Sequence, residues 1–553
     1  MPFPSPHRLL LPAVATAFLL ALTGCTAGEA TPGPAASHSQ APERGGTLVY
    51  ASGDAEPTCL DPHVGGNYPQ ALVATQYLEE LVSENSKHEI IPWLATSWQR
   101  AADGLSVTFT LRKGVRFTDG TPLDAQAVAA NIAQIKDPKT GSSTGYLALG
   151  AVKSTTVLSA RKIRFNLSRP DSALLESLSQ PWLAIESAKA IARPQAVNCV
   201  HPVGTGPFKV ASWVRQNSIT LVRNAGYNSP PADARHRGPA YLSKILWRFI
   251  PDSATRYAAL QSGEVQVIDN AQPDTIQAAE KTKTLQQLNA PRPGASDRIE
   301  LDSGKPPFDD KRVREAFIRA AQVNPGIKRL FFGTASRSYS ALSSVEPLAY
   351  SDKKLFRYDP AEANRLLDEA GWNKRDKAGY RTKDGKRLTV VFPVSTNQSI
   401  PAEQSLFEQI QASTKEVGFD VKLEPMDLGD WYAALAANQY NAVSAPYTKA
   451  GPDVLRILYD SAGIKPAPSG YFANLAQVDI PSLDKALQKA AEVSNPTERA
   501  ALYTKAQKTV LSGYYLLPLY DQQNHYLLRD DVVGLRALPS VSTPVFYDTW
   551  LRR

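Results

Sequence analysis

The feature that most constrains the fold is a regular change of hydrophobic period along almost the whole chain. From residue 46 onward, short segments in which every second residue is apolar alternate with longer segments of helical period. Residues 106–111 and 162–167 have the strand period, and residues 311–322 and 402–417 have the helical one. This alternation is typical of a layered α/β architecture. The 553 residues suffice for two or three domains of about 150 residues each, which excludes a single small module.

The N-terminus predicts export. Arg8 precedes an apolar stretch, residues 9–22, that is too short and too weakly flanked for a membrane-spanning helix. Small residues then stand directly before Cys25, as a bacterial lipoprotein signal requires. We therefore predict a signal peptide over residues 1–24 and lipidation of Cys25, with a plain secretory peptide and an incidental cysteine as the alternative. Residues 25–43 are small, polar and proline-rich, which predicts a flexible tether.

Charge and cysteine content narrow the partners and the compartment. The chain has 61 Lys and Arg against 53 Asp and Glu, and its net charge of +8 becomes +7 when Arg8 leaves with the signal peptide. A secreted chain with this modest excess is not expected to bind nucleic acid. Cys59 and Cys199 remain as an even pair in an oxidising compartment. We expect a disulfide between them, and two buried free thiols are the alternative.

No catalytic or metal-binding motif fits its sequence context. Residues 141–145 (GSSTG) match the nucleophile-elbow string, but a predicted helix precedes them where that elbow needs a buried strand, so we expect a polar loop. Residues 88–92 (HEIIP) begin like a zincin helix, which Pro92 would break. The seven histidines show no metal-ligand spacing. We therefore expect no enzymatic activity, no metal and no cofactor, with a cell-wall hydrolase as the remote alternative.

Several longer blocks resemble those of one known family. In chain order they are residues 92–98 (PWLATSW), 103–122 (DGLSVTFTLRKGVRFTDGTP), 204–208 (GTGPF), 259–264 (ALQSGE), 307–316 (PFDDKRVREA) and 366–372 (LLDEAGW). On these blocks the chain resembles the extracellular solute-binding proteins of family 5, the dipeptide, oligopeptide and nickel receptors of ABC importers. The resemblance covers nearly all of the mature chain. It implies an α/β fold of the periplasmic-binding-protein-like type II, with two hinged lobes and an extra sub-domain on lobe one.

The resemblance also implies domain boundaries and partners. Lobe one would comprise residues 44–80, 203–298 and 523–553, with residues 81–202 as its sub-domain, and lobe two would comprise residues 299–522. A ligand that binds the closed form more tightly would shift the lobes toward the form that a membrane permease recognises. The implied partners are a peptide or other small solute, ABC permease subunits and, through the lipid anchor, the membrane. A monomer is expected.

Residues 447–453 (YTKAGPD) bear on the ligand. In the peptide-binding members of this family, an Asp that clamps the peptide ammonium stands three residues before an acidic residue followed by Pro. When residues 447–453 are aligned with that pattern, Thr448 falls at the position of the Asp and Gly451 at the position of the acidic residue. A free amine closed into a dry cleft without a counter-charge is costly. Lys449 and Arg456 would instead suit a carboxylate or another anion, and a solvated face is the alternative for both.

The loops that face the cleft in this family imply the candidate ligand-binding residues, which are Tyr68, Ser395, Asn397, Tyr447, Thr448, Lys449 and Arg456. The sequence thus predicts a lipid-anchored substrate-binding protein on the extracytoplasmic face of a bacterial membrane. It would capture a peptide-like solute and deliver it to an ABC permease. The alternative ligand on the same scaffold is a metal chelate of the nickel or opine type, or another anionic small molecule.

Overall fold

The computed structural model describes residues 41–449 and 451–553. The predicted signal peptide, Cys25 and the tether up to residue 40 lie outside the described residues. Within the described residues, strands and helices alternate as the hydrophobic periods predict, so the α/β class is confirmed. No described helix combines the length and the apolar character that crossing a bilayer requires.

The largest sheet is mixed and pairs strands from both ends of the described chain. Its strands, in spatial order, are Leu285–Pro291, Gln523–Arg529, Val267–Ile268, Thr47–Ser52, Lys244–Phe249, Ser218–Arg223 and Phe208–Val214. Thr47–Ser52 pairs in parallel with both neighbours, and the other pairs are antiparallel. Tyr50 and Trp247 are fully buried in its core. The helices of this part of the chain are Tyr68–Ala74, Ser253–Ser262 and Pro273–Ala279.

A four-stranded antiparallel sheet forms in the middle of the first half of the chain. Its strands, in spatial order, are Ala95–Arg100, Ser106–Leu111, Lys162–Leu167 and Val152–Ser159. Val107, Phe109 and Leu111 are buried and the residues between them are half-buried, which is the predicted alternation. Helix Ala125–Lys136 packs into the same hydrophobic cluster. Shorter helices of this region are Thr144–Ala148, Leu174–Ser177, Ala188–Ile191 and Gln195–Asn198.

The second half of the chain builds another sheet with many helices around it. The antiparallel strands, in spatial order, are Ser336–Arg337, Leu516–Asp521, Asp297–Leu301 and Ala442–Ser444, and a parallel pair is formed by Thr389–Ser395 and Asp420–Met426. The helices are Lys311–Ala320, Val323–Leu330, Pro360–Glu369, Pro401–Glu416, Leu428–Ala436, Val454–Tyr459, Pro481–Glu492 and Pro496–Ser512. One hydrophobic cluster extends from Ala295 to Tyr520. The predicted division into two lobes and a sub-domain stays a prediction.

One helix is shorter than its period indicates. The apolar spacing predicts a helix over residues 70–82, but the helix is Tyr68–Ala74. Beyond it, the carbonyl of Tyr77 accepts a hydrogen bond from the backbone N–H of Gly206 at 3.1 Å. A Cβ on Gly204 would lie 1.9 Å from the same carbonyl oxygen, so this close approach requires glycine. Pairing with a distant segment thus replaces the last predicted turns.

Much of the net charge lies on one small sheet. Lys374–Arg375, Arg381–Lys383 and Lys386–Arg387 form three short antiparallel strands. Residues 374–387 contain seven Lys and Arg against two Asp, and most of these side chains are exposed. The count over the whole chain conceals this local concentration.

Candidate functional site

The candidate site is a cavity of about 270 Å³ whose wall comes from distant parts of the chain. Aromatic and uncharged polar residues dominate this wall. Among the described residues that line it, Arg292 is the only one of the types Asp, Glu, Lys, Arg and His. The lining residues are Gly65, Gly66, Asn67, Tyr68, Ser143, Thr144, Trp182, Arg292, Gln398, Tyr432, Ala436, Pro446, Tyr447, Thr448, Ser469 and Tyr471.

The loop before helix Tyr68–Ala74 forms the first part of the wall. Gly65 has a φ of +73°, and its carbonyl accepts a hydrogen bond from the backbone N–H of Ser143 at 2.8 Å. Asn67 then caps the helix with its side chain, which fixes Tyr68 as the first helical residue. Burial raises the pKa of the Tyr68 phenol to about 12, so this ring is neutral at physiological pH.

The nucleophile-elbow string does not have the geometry of an elbow. The helical turn Pro138–Thr140, and not a strand, comes directly before it. The hydroxyl of Ser143 donates a hydrogen bond to the carbonyl of Gly65. The loop therefore holds two wall segments of the cavity together. The indole N–H of Trp182 adds a further tie by donating to the carbonyl of Asn67 at 3.1 Å.

Arg292 reaches the cavity through a close contact between two chain segments. A Cβ on Gly294 would lie 2.6 Å from the backbone nitrogen of Lys449, and the φ of Gly294 is +88°. This approach brings the Arg292 Nε within 2.8 Å of the Thr448 hydroxyl, to which it donates. The guanidinium carbon lies 4.2 Å from the centroid of the Tyr68 ring, over its face. Two predicted residues, Tyr68 and Thr448, thus position a residue that sequence reasoning missed.

The 447–456 segment divides between the cavity and the interior. Tyr447 and Thr448 line the cavity. Lys449 and Arg456 do not line it, because both bind the carboxylate of Asp453. Lys449 Nζ donates to it at 3.0 Å, and Arg456 donates from Nε at 2.9 Å and from one terminal nitrogen at 2.8 Å. The side chains of Lys449 and Asp453 are 1% exposed. Contrary to expectation, Lys449 and Arg456 do not present their charges to the cavity, because both pair with the same internal carboxylate.

Ser395 and Asn397 lie near the cavity but do not line it. Ser395 is buried, and the side-chain oxygen of Asn397 accepts the backbone N–H of Leu428 at 3.0 Å. The next residue, Gln398, is the one at the wall. Like Trp182, Tyr432 and Tyr471, it carries no sequence signal that separates it from an ordinary loop or core residue.

The glycine at the predicted acid position has a structural reason. Gly451 has a φ of +88°, and a Cβ there would lie 2.3 Å from Oε2 of Glu176. Its backbone N–H donates to Oε1 of Glu346 at 3.0 Å. Burial raises the pKa of both carboxyls to about 7; Arg499 opposes this for Glu176, and backbone hydrogen bonds oppose it for Glu346. Glu176, from the 81–202 segment, thus occupies the space of a side chain at position 451.

Two further features lie beside the first wall segment. Cys59 and Cys199 form a disulfide across 140 residues, with a Cα–Cα distance of 4.4 Å. The side chains of Asp61, His63 and Glu186 form a cluster of buried groups whose potential ligand atoms lie close together. The ring nitrogens of His63 lie 3.1 Å from the side-chain oxygen of Gln134 and 2.8 Å from the Ala184 carbonyl. Both nitrogens therefore face acceptors, so this cluster offers no free histidine nitrogen to a metal.

A partly open, aromatic-lined cavity between distant α/β segments is typical of a site that binds a small molecule. The family model for bacterial extracellular solute-binding proteins, family 5, matches residues 89–467. The glutathione-binding protein GsiB of Escherichia coli O1:K1 / APEC is 28% identical over 473 residues, which are 84% of this chain and 86% of GsiB.

Solved structures show the same fold. The DppA protein of Helicobacter pylori in complex with the peptide STSA superimposes with a TM-score of 0.80 at 25% identity, over 92% of this chain and 99% of DppA. NikA of Brucella suis in complex with Fe(III)-EDTA superimposes with a TM-score of 0.78 at 26% identity, over 92% of this chain and 100% of NikA. The type II periplasmic-binding-protein fold is therefore confirmed.

The chain belongs to the bacterial extracellular solute-binding proteins of family 5. It is the substrate-binding component of an ABC importer, as the sequence predicts, in a family of extracytoplasmic transport proteins that hand small solutes to permease subunits.

Proposed function

We propose that the cavity captures a small peptide-like solute and that this chain delivers it to its permease. One observation carries the proposal: residues of the predicted sub-domain, lobe one and lobe two meet around a single cavity, as Thr144, Tyr68 and Tyr447 show. Closure of the lobes over a ligand would form this wall, and opening would dismantle it. The aromatic side chains supply contact area, and the uncharged polar groups supply orientation.

The ligands of the relatives support this class. Glutathione, the peptide STSA and the EDTA chelate are all small, polar molecules that carry carboxylates. A cavity of about 270 Å³ suits a ligand of a few residues. The chelate is the second candidate, because it shares the carboxylates and the size range.

We further propose that the protein acts without catalysis, as a monomer anchored by a lipid on Cys25. The support is the small-residue stretch before Cys25 and the tether to residue 43, which leave the body free to reach a permease. Cys25→Ser is expected to release the protein from the membrane fraction into the soluble extracytoplasmic fraction. Membrane retention of that variant would contradict the anchor.

The ligand test is mass spectrometry of small molecules released when the purified protein is denatured. Peptide-like compounds are expected from the wild type, and none from Thr448→Trp, because the larger ring fills the cavity. Thr284→Trp, at an exposed position, is the matched control and retains the ligand. Equal recovery from both variants would show that the ligand binds elsewhere.

A further inference from the structure

Arg292 is a cation in the cavity with no counter-charge. Its Nε is committed to Thr448, and its backbone N–H donates to the carbonyl of Gln522 at 2.9 Å. In residues 41–449 and 451–553, its two terminal nitrogens have no hydrogen-bond partner, and no carboxylate oxygen lies within 4.0 Å of the side chain. The guanidinium is half-buried, so closure of the site around it leaves a charge partly removed from water.

The surroundings hold this group in a fixed orientation. The Tyr68 ring lies against one face of the guanidinium, and the Thr448 hydroxyl accepts from Nε. Tyr68 is itself held, because its hydroxyl accepts from the amide of Asn524 at 2.5 Å. The two terminal nitrogens thus form a prepared fork, which is the geometry that binds a carboxylate with two parallel hydrogen bonds.

Nearby acids do not neutralise this cation. Asp54 acts on Arg292 electrostatically, but it does not line the cavity. Burial and the neighbouring Asp269 raise the pKa of Asp54 to about 7, against the lowering effect of Arg292, and in the described part of the chain no Asp54 oxygen lies within 4.0 Å of an Arg292 nitrogen. Asp453 is paired with Lys449 and Arg456. A ligand in the cavity can therefore supply the carboxylate that pairs directly with this cation.

We propose that Arg292 binds a carboxylate of the transported solute, so that this site recognises its ligand by an anionic end. This inference rests on the proposed function. It names Arg292 as the specificity-determining residue and Tyr68 and Thr448 as the residues that position it. In the alignment that the resemblance implies, Thr448 stands at the position of the acid that clamps an amine, and here its hydroxyl accepts a hydrogen bond from a cation.

The test uses trialanine and its C-terminal amide as probes, with binding measured by isothermal titration calorimetry at pH 7.5 and low salt. The free acid is expected to bind the wild type about 30-fold more tightly than the amide, because the amide cannot form the charge-assisted pair with Arg292. In Arg292→Gln, affinity for the acid falls by a similar factor and the difference between acid and amide disappears. Arg292→Lys retains an intermediate difference, because it keeps the charge and loses the fork.

Arg215→Gln is the matched control, because that guanidinium also stacks on an aromatic ring, Trp213, at 3.4 Å, away from the cavity wall. It is expected to bind both probes like the wild type. Equal affinity of acid and amide for the wild type, or a difference that persists in Arg292→Gln, would overturn the inference and leave the proposed function standing. If neither probe binds, the peptide-like ligand class fails, and the inference that rests on it fails too.

Discussion

Replacement of Asp453 by asparagine is expected to destabilise the fold strongly, because this buried carboxylate pairs with two cations, Lys449 and Arg456. Its side chain accepts three charge-assisted hydrogen bonds, from Lys449 and Arg456, at 2.8 to 3.0 Å. Arg456, then Lys449, holds the Asp453 pKa below its usual range despite burial, so the group is ionised at neutral pH. Loss of one partner of such a buried pair costs about 3 to 5 kcal/mol. Asp171 lies close enough to compensate partly, so we expect about 3 kcal/mol.

The measurement is urea unfolding at pH 7.5, followed by both tryptophan fluorescence and far-UV circular dichroism. Glu264→Gln, which breaks an exposed pair with Arg248, is the control and changes the free energy of unfolding far less. The triple variant Lys449→Met, Asp453→Leu and Arg456→Met is expected to recover most of the loss, because it removes all three charges together. A change below about 1 kcal/mol for Asp453→Asn would refute the reasoning and would return Lys449 and Arg456 to the list of ligand-binding candidates.

Three further outcomes follow from the same structure. Because the folded-state pKa of Glu346 is raised to about 7, its contribution to the free energy of unfolding falls as pH rises from about 4.5 to 7, by up to about 3 kcal/mol, and is then constant. Glu346→Gln should make that part of the stability profile less steep, measured by urea unfolding across this range, while Glu176, whose pKa is also raised to about 7, keeps part of the slope. Gly451→Ala should lower the free energy of unfolding by at least about 1 kcal/mol more than Gly470→Ala does. Both glycines have a positive φ, but only a Cβ at position 451 would clash with another atom, Oε2 of Glu176. Equal shifts of the melting temperature in the two variants would contradict this. Replacing both cysteines of the disulfide by serine removes a cross-link over 140 residues and should lower the free energy of unfolding by up to about 5 kcal/mol. A loss below about 1 kcal/mol would show that the cross-link is not a main constraint on the unfolded chain.

Local patterns in the sequence were sufficient for several of the longer elements. Strands Ser106–Leu111 and Lys162–Leu167 have the predicted bounds, because alternation of apolar residues reports a half-buried strand directly. Helix Pro360–Glu369 begins after Asp359, whose side chain caps it, and Gly371 follows it with a φ of +86°. The helix predicted over residues 70–82 failed where a distant segment pairs with its backbone, which no local pattern reports.

The candidate site was only partly predictable, because its chemistry depends on which charges meet in space. Sequence reasoning placed Tyr68, Tyr447 and Thr448 at the cavity wall through the resemblance, and the structure has them there. The pairing of Lys449 and Arg456 with Asp453 had a local signal, namely their spacing of four and three residues along the chain.

By itself, the sequence determined the α/β class, the family and the order of the elements, since these depend on local periods and on contiguous blocks of residues. Only the tertiary structure decided where the site has a free charge. Arg292 lies between two prolines, 156 residues from the threonine that holds its Nε, and nothing near it in the chain marks it as a ligand residue. Ion pairing acts through space: the fold pairs Lys449 and Arg456 with Asp453 and leaves Arg292 at the cavity without a carboxylate partner among the described residues.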